Sequence, residues 1–176
     1  MIRNTNETKI TVNFDSDNIS IDTGDLVFDH MLKTLFFYMK QNVNIKAAYD
    51  LRHHLWEDTG ITIAEAIKEK IKGRNITRFG STIMPMDDSL ILLSLDISRA
   101  YINFNVDYKD AEGFELNLLY EFLWGFSRTL SMTLHVVKMN GTNPHHITEN
   151  IFKALGISLK IALEEGSRLE STKGVL

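Results

Sequence analysis

The 176-residue sequence contains no cysteine and only two prolines, Pro85 and Pro144. Without cysteine there can be no disulfide, no thiolate zinc site and no cysteine nucleophile, and such a chain suits a reducing, cytoplasmic setting. Long apolar runs are also missing. The stretch from Leu90 to Leu95 falls far short of the ~20 residues needed to cross a bilayer, so no membrane role is expected. Met1 to Glu7 carry no apolar signal core, which speaks against export. Nor is there an excess of positive charge. Nineteen Lys and Arg face 23 Asp and Glu, a net charge of −4 without a dense basic block, and this argues against a nucleic-acid partner. Finally, no linker rich in Pro, Gly or Ser divides the chain.

Hydrophobic residues at 44% and charged residues at 24% make an ordinary globular composition. Periodicity divides the chain into two similar passes, 1–81 and 82–176, expected to form one compact unit. In the first pass, Thr8 to Phe14 and Asn18 to Ile21 alternate as strands around the turn formers Asp15, Ser16 and Asp17. A helix is expected from Leu26 to Lys40, a strand from Val43 to Ala47, and a second helix from about His54 to Lys72. Ile63, Ala66, Ile67 and Ile71 give that helix an apolar face, and Gly73 suits its end. The second pass offers strands from about Ile83 to Asp96 and from Tyr101 to Val106. A helix from Glu115 to Ser131, a strand from Thr133 to Met139 and a helix from Asn143 to Glu165 follow. Both passes read β-β-α-β-α, an α+β protein whose amphipathic helices cover sheets.

Six histidines are present, and four of them occur as two copies of His-His-x-x-Glu. His53-His54-Leu55-Trp56-Glu57 opens the last helix of the first pass, and His145-His146-Ile147-Thr148-Glu149 opens the last helix of the second. On a helix, residues four apart share a face, so His53 with Glu57 and His145 with Glu149 can each converge on one ion. Adjacent histidines diverge by about 100°, so His54 and His146 should face a different ion from their neighbours. Imidazole with carboxylate suits Mn, Fe or Zn. His30 and His135 would complete two sets of three histidines and one glutamate. A single copy is more often an exposed helix start with a carboxylate near the dipole. Two copies at equivalent points of a repeat favour a two-metal site.

With these residues in view, the chain resembles the imidazoleglycerol-phosphate dehydratase family nearly end to end. Asn4-Thr5-Asn6-Glu7-Thr8-Lys9-Ile10 is similar to R-x-T-x-E-T-x-I, and Phe28-Asp29-His30-Met31-Leu32 to F-x-D-H-M-L. The first histidine pair with Glu57-Asp58 matches H-H-x-x-E-D. Arg78-Phe79-Gly80 and Pro85-Met86-Asp87-Asp88-Ser89-Leu90 resemble R-Y-G and P-M-D-E-A-L. Glu121-Phe122, Thr133-Leu134-His135 and Gly141-Thr142-Asn143-Pro144 lead into the second pair. Glu149 to Ala154 and Ser171 to Leu176 complete the pattern.

The resemblance implies a ribosomal protein S5 domain 2-like fold for each half, with helices packed between two four-stranded sheets. It implies two Mn2+ per active site, held by His30, His53, His54, Glu57, His135, His145, His146 and Glu149. Substrate phosphate would be held by Arg78, Lys153, Ser171 and Lys173, and Glu7 would contact substrate and exchange a proton. The implied enzyme is a hydro-lyase of histidine biosynthesis acting on a small phosphorylated imidazole. The implied homo-oligomer is a 24-mer built from trimers with active sites at subunit interfaces.

Three positions depart from the pattern. Tyr38-Met39 stands where the family has His-Gly, and Arg52 where Asp is typical beside the first histidine pair. In Asp96-Ile97-Ser98-Arg99-Ala100-Tyr101, the family's phosphate-binding arginine of D-L-S-G-R-P aligns with Ala100, and Arg99 can replace it only if the backbone shifts by one residue. An arginine beside metal ligands disfavours a cation unless it points away. Two further readings therefore stay open: a non-catalytic member that keeps the metals as assembly clips, and a metal-dependent hydrolase using His-His-x-x-Glu to activate water.

Overall fold

The structure, a computed structural model, describes residues 1–174. Each half supplies one four-stranded sheet and two helices. In the first half these are β1 (Ile2–Asn4), β2 (Thr8–Asn13), β3 (Ile19–Asp22), α1 (Leu26–Met39), β4 (Val43–Tyr49) and α2 (Arg52–Ile71). The second half repeats the order with β5 (Phe79–Met86), β6 (Ser89–Ile97), β7 (Tyr101–Asn105), α3 (Leu116–Leu130), β8 (Met132–Asn140) and α4 (Pro144–Ala162). The strand orders match, β1-β2-β4-β3 and β5-β6-β8-β7. Within each sheet a β-α-β unit places its two strands side by side and parallel, β3 with β4 and β7 with β8.

Each half has one strand more than the β-β-α-β-α pattern predicts. β1 is only three residues long, too short for alternation to register. The strand pattern around Ile83 to Asp96 is an antiparallel hairpin, with Met86 opposite Ser89. Its turn is Asp87-Asp88, and Asp87 takes the left-handed conformation at φ 49°. Gly73, also left-handed, lies just past the end of α2, as its position in the sequence predicts.

The strands alternate as half-buried strands should; β6 reads buried at every second residue from Ser89 to Ile97. Their inner faces meet the four helices, which pack in pairs, α2 against α3 and α1 against α4. Glycine makes both crossings close. A Cβ at Gly60 would stand 2.5 Å from the Phe122 carbonyl oxygen, and one at Gly156 2.5 Å from that of Leu35. At the centre each helix contributes one ring. Phe28 of α1 stacks on Trp56 of α2 at 4.1 Å between centroids, and it meets Phe122 of α3 edge-on at 5.6 Å. Phe152 of α4 stacks on Phe122 at 5.1 Å and meets Trp56 edge-on. All four are fully buried, and such rings dominate core energetics through area and aromatic geometry together.

Arg52, one of the residues that depart from the family pattern, belongs to a polar clamp at the rim of this core. Asp25 caps α1 by accepting from the backbone N–H groups of Val27 and Phe28. Its second oxygen accepts from Arg52 Nε at 2.8 Å and from Trp56 Nε1 at 3.1 Å. Arg52 also donates to the Gly113 carbonyl and to Glu115, so one side chain ties both halves together. The guanidinium is spent on these partners. Burial pushes the Asp25 carboxyl up, but Arg52, Trp56 and the Phe28 N–H together hold it below the ordinary value. A depressed folded-state value means stability present above the ordinary carboxyl range and lost as pH falls through the depressed one. Asp25→Ala should therefore cost about 2–3 kcal/mol at neutral pH, from a lost cap and a stranded arginine. Denaturant unfolding at pH 7 and pH 3 should show the gap to wild type narrowing in acid.

Candidate metal centres and anion pocket

Both histidine pairs sit in the first turn of a helix, at matching positions. His53 and His54 are the second and third residues of α2, and His145 and His146 the second and third of α4. Asn143 caps α4, accepting from the N–H groups of His145 and His146, with Pro144 at the first helical position. In each pair the ring centroids lie 5.8 Å apart with the planes turned well away from each other, as neighbouring helical positions require.

The six histidines and two glutamates fall into separate groups within one chain. His30 of α1 and His145 both present Nε2 to Glu149 Oε2, at 3.2 and 2.9 Å. The other Glu149 oxygen pairs with Lys153 at 3.0 Å. Burial raises this carboxyl, yet Lys153 and His30 outweigh it and leave the group more acidic than usual. The His145 ring also stacks on Phe114 at 4.9 Å, which fixes its plane. A second group joins His53 and Glu57 to Glu121 of α3, with Arg128 donating to Glu57. Among the described residues, these are the two sets in which three such side chains bring donor atoms within 4.8 Å of one another. Glu121 was not foreseen as a member. It reaches the site across the α2–α3 crossing, which sequence spacing does not reveal.

The remaining candidates stand apart. His54 Nδ1 lies 2.7 Å from Asp50, while its Nε2 faces Glu7 at 3.9 Å. Asp50 raises the affinity of His54 for a proton, and His54 in turn lowers that of Asp50. His146 repeats the arrangement, with Nδ1 2.7 Å from Asp88 and Nε2 3.6 Å from Asp87. Asp88 accepts from the Thr142 and Asn143 N–H groups besides His146, and these bonds hold it far below the usual carboxylate range. His135 of β8 lies beside Asn103, at 3.3 Å from Nδ1, with the Tyr101 ring against it.

Arg78, Arg99, Ser171 and Lys173 line one cavity of about 880 Å³, together with Arg168, which was not foreseen. Arg99 projects from the short turn between β6 and β7, so it faces the cavity although Ala100 is the residue that aligns with the family's arginine. Arg78 is oriented by Asp96, which accepts from its Nε at 2.6 Å and raises its basicity further. Lys153 is not on this cavity. It contacts Met86 at one end of β5, whereas Arg78 adjoins Phe79 at the other. Eight residues of strand at ~3.3 Å each put roughly 25 Å between them. One chain therefore does not gather all five predicted phosphate contacts. Tyr38 lies under Lys153, with the ammonium 5.8 Å from its ring. Val175 and Leu176, the end of the last matching motif, lie outside the described residues.

Comparison with known proteins identifies the family. Residues 23–159 match the family model described as imidazoleglycerol-phosphate dehydratase. The chain is 52% identical to the imidazoleglycerol-phosphate dehydratase of Pyrococcus furiosus over the full length of both, and 40% identical to that of Metallosphaera sedula, with 99% and 96% of the two chains covered. Among solved structures it is similar to the Pyrococcus furiosus protein with a TM-score of 0.96 at 51% identity, covering all of both chains. It is also similar to the Staphylococcus aureus dehydratase, with a TM-score of 0.83 at 31% identity over 94% and 98% of the chains. The chain belongs to the imidazoleglycerol-phosphate dehydratase family.

Proposed function

We propose that this protein is a hydro-lyase of histidine biosynthesis, converting imidazole-glycerol phosphate to imidazole-acetol phosphate with loss of water. The observation that carries the reading is the pair of His-His-x-x-Glu corners at matching helix starts in a chain of this family. The donor set fits manganese. It consists of imidazole and carboxylate without thiolate, and in two places three donors already lie close together. His30, His53, His54, Glu57, His135, His145, His146 and Glu149 would hold two Mn2+ per active site. The ions would supply Lewis acidity at the two ring nitrogens, where charge develops as the carbon-bound hydrogen leaves.

The chain's own residues do the rest. Glu7, exposed in the turn before β2 and facing His54, would move the proton between the carbon next to the ring and water. Arg78, Arg99, Ser171 and Lys173 would hold the phosphate and so align the reacting carbons. Lys153 would join them from a neighbouring copy, because within one chain it lies at the far end of β5. That separation, and the scattering of the histidines over several groups, supports active sites completed at subunit interfaces in a homo-oligomer, the 24-mer built from trimers. No helix among the described residues is long and apolar enough to cross a membrane, and the reading is of a cytoplasmic enzyme.

Two sequence departures that favour a non-catalytic member lose their force in this geometry. Arg52 points into the clamp with Asp25 and Glu115, and Arg99 lies on the anion pocket.

The deciding experiment assays the purified protein with imidazoleglycerol phosphate, with manganese and after chelation. Dehydration that disappears on chelation and returns with manganese is expected; manganese binding without dehydration would select the non-catalytic reading. Glu7→Gln should retain manganese and lose about 10²–10⁴-fold in kcat, and an unchanged kcat removes Glu7 from the mechanism. Arg99→Ala should act mainly on KM, costing about 10- to 100-fold in kcat/KM for a lost charged contact. Steady-state kinetics that show no such loss would take Arg99 off the phosphate.

A further inference from the structure

Two carboxylates outside the proposed ligand set hold the same atom of equivalent histidines. Asp50 Oδ1 lies 2.7 Å from His54 Nδ1, and Asp88 Oδ1 lies 2.7 Å from His146 Nδ1. Both histidines are the third residue of their helix. The carboxylates, however, come from unrelated places. Asp50 follows β4 and sits four residues before its histidine, whereas Asp88 comes from the β5–β6 turn, 58 residues away in sequence. The two halves thus reach one geometry by different routes.

The repeat shows that the difference is a substitution of means. The residue four after each histidine anchors its helix to the first residue of a strand. Thr8 Oγ1 donates to Asp58 at 2.5 Å, and Asn150 donates to Ser89 Oγ at 3.0 Å. Thr8 and Ser89 are therefore equivalent, and so are the residues just before them, Glu7 and Asp88. In the first half that residue stands away from the ring, 3.9 Å from Nε2, and Asp50 takes Nδ1 instead. In the second half it takes Nδ1 itself.

An ionised carboxylate can only accept, so the Nδ1 it holds must carry the hydrogen. In a neutral imidazole Nε2 then keeps the lone pair, and it is aimed outward along a fixed ring plane. His30 and His145 do the opposite: their Nε2 atoms lie within hydrogen-bonding distance of Glu149, at 3.2 and 2.9 Å, whereas the Nε2 atoms of His54 and His146 stand 3.9 and 3.6 Å from Glu7 and Asp87.

We infer that Asp50 and Asp88 are positioning residues that set the tautomer and direction of His54 and His146 so that Nε2 is presented to the metal. This rests on the proposed reading of those histidines as ligands. Removing such an orienting partner from a ligating histidine lowers metal affinity by about 10- to 100-fold.

Asp50 gives the clean test, because its side chain is half exposed and, among the described residues, bonds His54 and the adjacent Leu51 N–H. Asp88 also holds the Thr142 and Asn143 N–H groups, so its loss would disturb the loop before α4. Chelator-stripped wild type, Asp50→Ala and Asp50→Asn, each as the intact assembly, are titrated with Mn2+ by calorimetry, and the metal-free melting temperature of each is recorded. The expected result is affinity weakened about 10- to 100-fold in Asp50→Ala. Asp50→Asn should recover much of it, since the amide oxygen still accepts from Nδ1–H, while metal-free melting stays the same in all three. Wild-type affinity in Asp50→Ala overturns the inference, as does an Asp50→Asn protein no better than Asp50→Ala. A wild type that fails to bind manganese instead sinks the ligand assignment beneath it.

Discussion

Four buried rings, one from each helix, fix where the chemistry can occur. Trp56 lies two residues after His54, and Phe152 six residues after His146, so the rings that close the core also hold the first turns of α2 and α4. Stacking and edge-on contacts between Phe28, Trp56, Phe122 and Phe152 define both distance and angle, which simple apolar burial does not. The glycines at the two crossings serve the same end. With a backbone approach that a single Cβ would block, α2 meets α3 and α1 meets α4 in one way only. His30 reaches His145 and Glu149 because α1 and α4 are locked in this manner.

Much of this was legible in the residues, and the limits have physical causes. The helices follow from apolar faces at helical spacing, and the central strands from alternation. The three-residue β1 has too few positions to show a period, and the Asp87-Asp88 turn interrupts what otherwise reads as continuous strand. The histidine pairs announced themselves because helical geometry acts over four residues, well inside the range that spacing can report. Asp50, four positions before His54 on a helix entry, lies within that range, although the motifs do not single it out. Asp88 and Glu121 were not, since both arrive through tertiary packing.

The predicted phosphate contacts show a different limit. Arg78 and Arg99, from the middle of the chain, line one cavity with Ser171 and Lys173. Lys153 stands at the other end of β5, engaged with Glu149. Motif context identifies a residue type at a position, but it does not say which copy's cavity that residue faces. The same holds for His135, which among the described residues meets Asn103 and Tyr101 rather than another proposed ligand. The proposed site between copies would distribute its parts over a protomer's surface, and only the fold reveals how far apart they begin.

The duplication poses its own constraint. Two matching corners suit a ring with two nitrogens, but the substrate's side chain makes those nitrogens inequivalent, and in the proposed reaction a proton moves on one side of the ring. The repeat answers at a single position, the residue before the first strand residue that anchors each helix. In the second half this is Asp88, drawn into bonds with His146, Thr142 and Asn143 that leave it strongly acidic and poorly placed to accept a proton. In the first half it is Glu7, one methylene longer, exposed and not spent on its histidine, because Asp50 has taken over the orienting task. The proton transfer proposed for Glu7 thus draws on a second carboxylate nearby, and the altered approach to the first histidine pair, with Asp50 ahead of Arg52, supplies it.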